Sequence, residues 1–189
     1  MSHLLLFEGS ELTGKSFLMS QLYDWLEKKY NSDPNLLNGC HWLNCDIGIL
    51  GDRYAGWCLN KLAEMVEPMT DRNIIIEKFH LSDLAYRAFH QLPEISYNEL
   101  EARLAKRQAK IIFTRIKPDS ALFEHRLKDR LQLYPHYARI AKTPAQYIKL
   151  QELYEHYLQR SQLPSLTIDS SQLPNPELLD QILTWLKEK

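Results

Sequence analysis

LLLFEGSELTGKSFLMSQL, residues 4–22, decides the fold of this chain. An apolar run ends in Gly9, a second glycine precedes Lys15 and Ser16, and a segment of helical periodicity follows. Gly9 to Ser16 satisfies GxxxxGK[ST] in full, and it lies between a predicted strand and a predicted helix, the setting that motif requires. The spacing has a physical reason. Two glycines let successive backbone N–H groups turn inward around phosphate oxygens, and the helix N-terminus adds its partial positive charge. The nucleotide-binding stretch is therefore Gly9, Ser10, Glu11, Leu12, Thr13, Gly14, Lys15, Ser16 and Phe17. Within it Lys15 is expected to reach the β- and γ-phosphates of ATP, and Ser16 to ligate Mg²⁺.

Outward from this loop, short apolar runs alternate with amphipathic segments. Strands are predicted at residues 3–7, 41–46, 73–77, 110–115 and 165–169. Helices are predicted at 15–30, 54–65, 82–91, 97–108, 120–132, 144–159 and 176–187. Parallel strands need crossover connections, so the alternation predicts an α/β three-layer sandwich, a five-stranded parallel sheet with helices on both faces. Residues 131–143 mix Tyr134, Pro135, His136 and Arg139 with poor periodicity and read as a mobile lid, which with the preceding helix end spans about residues 126–143. At 189 residues and 44% hydrophobic composition, one well-cored domain over 1–189 is expected.

A net charge of −1 gives no global pull toward nucleic acid or an anionic membrane, so neither is expected as a partner. The first ten residues lack the pattern of a secretory leader, and a cytoplasmic protein is expected. Cys40, Cys45 and Cys58 form no CxxC pair and read as thiols; Cys40, His41 and Cys45 lack the spacing of a closed metal site. The histidines show no HExxH spacing, and Trp25, Trp42, Trp57 and Trp185 read as core.

The run IIIEKFHLSDLAYR, residues 74–87, supplies the second constellation. Glu77 closes a strand predicted to lie beside the phosphate loop, where a carboxylate holds Mg²⁺ or its water; the alternative is a strand-ending charge. Taken with Phe7-Glu8-Gly9-Ser10-Glu11, this run resembles the thymidylate kinases, which carry FEGxE or FEGxD at the phosphate loop and DRYxxSxxAY at the third strand. Ser82, Ala85 and Tyr86 match that signature in register, and Glu77, Lys78 and Phe79 are similar replacements for its first three residues. The likeness extends over the whole chain through IIFTRIKPDSALFEHRLKDR and LTIDSSQ. It implies ATP-dependent phosphoryl transfer to a nucleoside monophosphate. Glu11 would face the acceptor sugar, with Lys78, Phe79, Ser82 and Tyr86 along the acceptor and Arg126 and Arg130 clamping the phosphoryl group. The i, i+4 spacing of those arginines puts them on one helix face independently of the resemblance; a solvated face paired with Glu124 and Asp129 is the other reading.

Two departures stand out. The REPGG-type segment after the second strand is replaced by Asn44-Cys45-Asp46-Ile47-Gly48, without an arginine, and Lys78 exchanges a two-pronged phosphate grip for a point charge. Asp46 stands where kinases that phosphorylate a hydroxyl often carry a general base, and Arg53 could then hold an acceptor anion. Asp46 also fits a strand-ending cap. Three functions therefore stay open: a monophosphate kinase, a hydroxyl-directed nucleoside or polynucleotide kinase, and a nucleotide-binding regulatory module. The expected partner is a small nucleotide or nucleoside, and a homodimer is left open.

Overall fold

The computed structural model describes residues 2–45 and 48–188. Asp46, the candidate base, lies outside the described residues. Five strands, β1 (Leu4–Glu8), β2 (His41–Asn44), β3 (Ile74–Glu77), β4 (Lys110–Arg115) and β5 (Ser165–Asp169), form one sheet in the order β2-β3-β1-β4-β5. Every pairing is parallel. β1 is central and buried along its whole length, as an unbroken Leu-Leu-Leu-Phe run requires when both sheet faces are covered.

Alternation along β1 assigns its side chains to two cores. Leu4 and Leu6 join Ile74, Ile76, Ile111 and Phe113 beneath α2 (Ala55–Val66), α3 (His80–Phe89), α4 (Asn98–Lys106) and α6 (Pro144–Arg160). Leu5 and Phe7 join Ile75, Ile112 and Ile168 on the other face, beneath α1 (Lys15–Tyr30) and α7 (Glu177–Trp185). Helix α1 buries Leu18, Leu22 and Leu26, an i, i+4 stripe, and places Lys28 and Lys29 in its last turn where the helix dipole favours cations. A third, smaller cluster of Ile116, Phe123 and Tyr147 fixes α5 (Ser120–Leu133) against α6.

The predicted layout holds, and the shifts are local. β2 ends at Asn44, two residues short of the expected strand, and α3 starts at His80 instead of Ser82. The stretch read as a lid is the end of α5, a 3-10 turn over Pro135–Arg139, and a connection to α6. Tyr137 pins that turn: it is buried, and its hydroxyl lies 3.0 Å from that of Tyr147. Among the described residues, no helix is long and apolar enough to cross a membrane.

Candidate active site

The loop between β1 and α1 is shaped by backbone that few residues adopt. Gly9 has φ 136°, and a Cβ there would stand 2.3 Å from the Thr114 carbonyl oxygen, so only glycine fits. Thr13 Oγ1 donates to the Ser10 carbonyl at 2.9 Å and meets Thr114 Oγ1 at 2.8 Å, while Ser170 Oγ donates to the Thr13 carbonyl at 2.5 Å. The loop is thus tied to β4 and to the end of β5. Lys15 lies inside it, with Nζ donating at 2.8 Å to the carbonyls of both Gly9 and Ser10. Burial, reinforced by the charge of Lys78, depresses the Lys15 pKa to about 8 against the pull of Glu77, Glu11 and Glu8.

Next to it, Ser16 Oγ donates to Glu77 Oε1 at 3.0 Å, and Asn44 Nδ2 donates to Glu77 Oε2 at 3.3 Å. A hydroxyl and a carboxylate in contact at the end of a buried strand are hard oxygen donors of the type Mg²⁺ takes. That ion usually keeps several waters and needs only one or two protein ligands. The donor set fits, with Ser16 and Glu77 as the residues that would hold it. Among the described residues, no group of three or more His, Cys, Asp or Glu forms a larger metal cluster.

Across the loop stands Glu11. The Tyr86 hydroxyl donates to Oε1, and Lys78 Nζ and Lys142 Nζ lie 3.7 and 3.6 Å from the same oxygen. Burial alone would raise the Glu11 pKa; Lys78, Lys142, Tyr86 and Lys15 together outweigh it and hold the carboxyl at about 2. Its second oxygen, Oε2, is buried and without a hydrogen-bond partner. An ionised carboxylate accepts only, so this oxygen awaits a donor.

Beneath these groups is a residue to which sequence reading gave no role. Glu8, fully buried at the end of β1, accepts from the backbone N–H groups of Phe79 at 3.1 Å and Leu81 at 3.0 Å, and from Ser82 Oγ at 2.5 Å. Burial pushes its pKa above the usual carboxylate range, against the stabilising effect of His80, Ser82 and the two amides. These bonds brace the chain where Lys78 takes φ 57°, a left-handed conformation that costs a residue with a Cβ about 1–3 kcal/mol. A charged residue closing an otherwise apolar strand was the available signal, because a buried carboxylate must find donors.

No family model matches the chain, and no curated protein matches it. Solved structures do. The YorR protein of Bacillus subtilis, in complex with phosphorylated GDP, is 20% identical over 97% of this chain and 95% of its own, with a TM-score of 0.66. A deoxyadenosine kinase from M. mycoides, with dCMP and dCDP bound, is 12% identical over 98% and 99%, with a TM-score of 0.59. A thymidylate kinase from Ehrlichia chaffeensis is 12% identical over 98% of both chains, with a TM-score of 0.55. The fold is that of the P-loop kinases.

Within this fold the expected site residues separate into two groups. Lys15, Ser16, Glu77, Glu11, Lys78 and Tyr86 are brought together, as described. Phe79 and Ser82 point inward: Phe79 is fully buried in the core, and Ser82, also fully buried, lies between Glu8 and the Tyr154 hydroxyl, 2.8 Å away. Because α3 begins at His80, both sit where the chain enters the helix. Arg53 is exposed on the loop before α2, its guanidinium 4.7 Å over the Tyr54 ring. Phe17 is 38% exposed at the start of α1. The two arginines of α5 share a helix face but diverge. Arg126 donates to the carbonyls of Leu12 (3.0 Å), Ser170 and Ser171 (3.2 Å), joining the phosphate loop to the chain after β5. Arg130 lies over the rings of Tyr134 and Tyr137, at 4.6 and 5.2 Å. Spacing of i and i+4 fixes where two side chains start, not where long ones end. The connection between α5 and α6 instead brings a cation to Glu11, Lys142, to which the sequence gave no role.

Proposed function

We propose that this chain transfers the γ-phosphoryl group of ATP to the phosphate of a nucleoside monophosphate, in the manner of the thymidylate kinases. The observation that carries the reading is Glu11, an ionised carboxylate on the phosphate loop itself, beside Lys15 and opposite Lys78, with one buried oxygen that has no hydrogen-bond partner. A sugar hydroxyl satisfies that oxygen and sets the acceptor at the edge of the cradle. Lys15 supplies positive charge at the β- and γ-phosphates, and even at its depressed pKa of about 8 it is largely protonated at neutral pH. Bound magnesium would neutralise phosphate charge beside Ser16 and Glu77. Lys78, held in place by the Glu8 bonds, faces the acceptor as a fixed charge. Positioning and electrostatic stabilisation then carry the reaction, because a phosphate acceptor already presents an anionic oxygen and needs no base.

Glu11 itself is no base, since a carboxylate with a pKa near 2 binds a proton too weakly at neutral pH. A hydroxyl acceptor would need another carboxylate. The absence of an arginine in Asn44-Cys45-Asp46-Ile47-Gly48 favours that second reading, with Asp46 as base. ADP release measured across nucleosides, nucleoside monophosphates and 5′-hydroxyl oligonucleotides tests both. Release stimulated by a monophosphate is expected. Stimulation only by hydroxyl acceptors would transfer the assignment to the second reading, and stimulation by none would leave a nucleotide-binding module.

A further inference from the structure

The connection from α5 to α6 delivers one lysine into the acceptor side of the site, and its placement is built. The Lys142 backbone N–H donates to the Tyr147 hydroxyl at 3.1 Å, and Tyr147 is fully buried. The next residue, Thr143, caps α6 through a reciprocal pair: its N–H donates to Gln146 Oε1 at 2.8 Å and its Oγ1 accepts from the Gln146 N–H at 3.3 Å. With the backbone held on both sides, the Lys142 side chain, only 15% exposed, crosses to Glu11 Oε1 and lies 5.5 Å from the Tyr86 ring and 5.7 Å from the Tyr147 ring.

Two ammonium groups, those of Lys78 and Lys142, therefore share one carboxylate oxygen. They are not equivalent. Lys78 is fixed from below by left-handed backbone at the Glu8-braced turn, whereas Lys142 reaches the same carboxylate from a connection outside the sheet. A ligand that brings its own anion gives Lys142 a second partner; a neutral ligand gives it none.

We propose that Lys142 selects a phosphorylated acceptor over the corresponding neutral nucleoside. The inference rests on the reading above that the acceptor side of this site takes a nucleotide. It adds the residue that reads the acceptor's charge. Glu11 and the incoming phosphate compete for the Lys142 ammonium, so acceptor charge is sensed where the sugar is held.

The test is equilibrium binding, which needs no turnover. The four 2′-deoxynucleoside 5′-monophosphates and their nucleosides are titrated by calorimetry into the wild-type protein and into Lys142→Ala, Lys142→Arg and Glu11→Gln. The wild type should bind at least one monophosphate about tenfold or more tightly than its nucleoside, a 1.4 kcal/mol preference. Lys142→Ala should lower that ratio by about threefold or more, Lys78 keeping the remainder, while nucleoside affinity stays within about twofold, and Lys142→Arg should keep the full ratio. Glu11→Gln should raise the ratio, whatever it does to both affinities, because the competing carboxylate charge is gone. Thermal melts confirm that each variant is folded. No preference in the wild type, an undiminished preference in Lys142→Ala, an equal loss for both ligands, or a fall in Glu11→Gln would each overturn the proposal. Charge selection by Lys142 without ADP release would leave this inference standing and remove the transfer reaction, so the two fail separately.

Discussion

Replacing Lys15 by methionine should abolish phosphoryl transfer and at the same time make the protein more stable at neutral pH. The side chain is 5% exposed, and its pKa falls from 10.5 to about 8 because burial disfavours the ammonium. A lysine with a folded-state pKa below its unfolded value destabilises the fold. The penalty is fully present below pH 8 and is relieved as pH rises from 8 to 10.5. At about 1.36 kcal/mol per pH unit the penalty at pH 7 is on the order of 3 kcal/mol. Against it stand the two hydrogen bonds to the carbonyls of Gly9 and Ser10, worth about 1 kcal/mol each. The net gain is about 1 kcal/mol, which in a chain of this size raises Tm by about 2–4 °C. The assay is a pair of thermal melts, wild type against variant, at pH 7 and pH 9.5. The variant should melt higher at pH 7, and its advantage should vanish or reverse at pH 9.5, where the wild-type lysine has shed most of its charge. A variant that melts lower at pH 7, or a gain that persists at pH 9.5, would refute the view that Lys15 is held in the loop at the expense of stability.

Glu8→Ala strips the acceptor from two backbone N–H groups and from Ser82, and should cost about 2–4 kcal/mol in urea unfolding; a loss under about 0.5 kcal/mol would show that Glu8 braces nothing. Arg126→Ala cuts the tie between the Leu12 carbonyl and the chain after β5, and is expected to raise KM for ATP by about tenfold with a smaller change in kcat. A fall confined to kcat would return Arg126 to the phosphoryl clamp that the family resemblance implied. Asp46→Asn should leave kcat with a monophosphate within about an order of magnitude, whereas loss of a positioned base typically removes about 10²–10⁴-fold. A collapse of kcat by about a thousandfold with ATP binding intact would make Asp46 the base and a hydroxyl the acceptor.

Much of the scaffold is legible in the sequence because its signals are local. The phosphate loop is a contiguous string, helix α1 runs over the predicted residues 15–30, and β4 and β5 match their predicted limits, since apolar runs bounded by turn residues carry their own ends. The interior of the site is less legible. Whether Ser82 faces a ligand or a buried carboxylate depends on where α3 begins, and the two-residue difference between Ser82 and His80 is within what periodicity leaves undetermined. Glu8 reads as a strand-end charge until three donors are seen around it. Lys142 sits in the least periodic part of the chain, and its contact with Glu11 spans more than a hundred residues, a pairing that no local pattern encodes. The path of Arg126 is likewise settled by tertiary partners, whereas Arg130 turns to Tyr134 and Tyr137 of its own segment.

Phosphoryl transfer to a nucleoside monophosphate is read directly by ³¹P NMR of the product formed when the protein, ATP and Mg²⁺ are incubated with a nucleoside monophosphate or with the matching nucleoside. With the monophosphate a new pair of coupled diphosphate resonances is expected, growing as the γ-resonance of ATP declines and absent when Lys15 is replaced by alanine. A new phosphomonoester resonance from the nucleoside, with no diphosphate formed from the monophosphate, would contradict it.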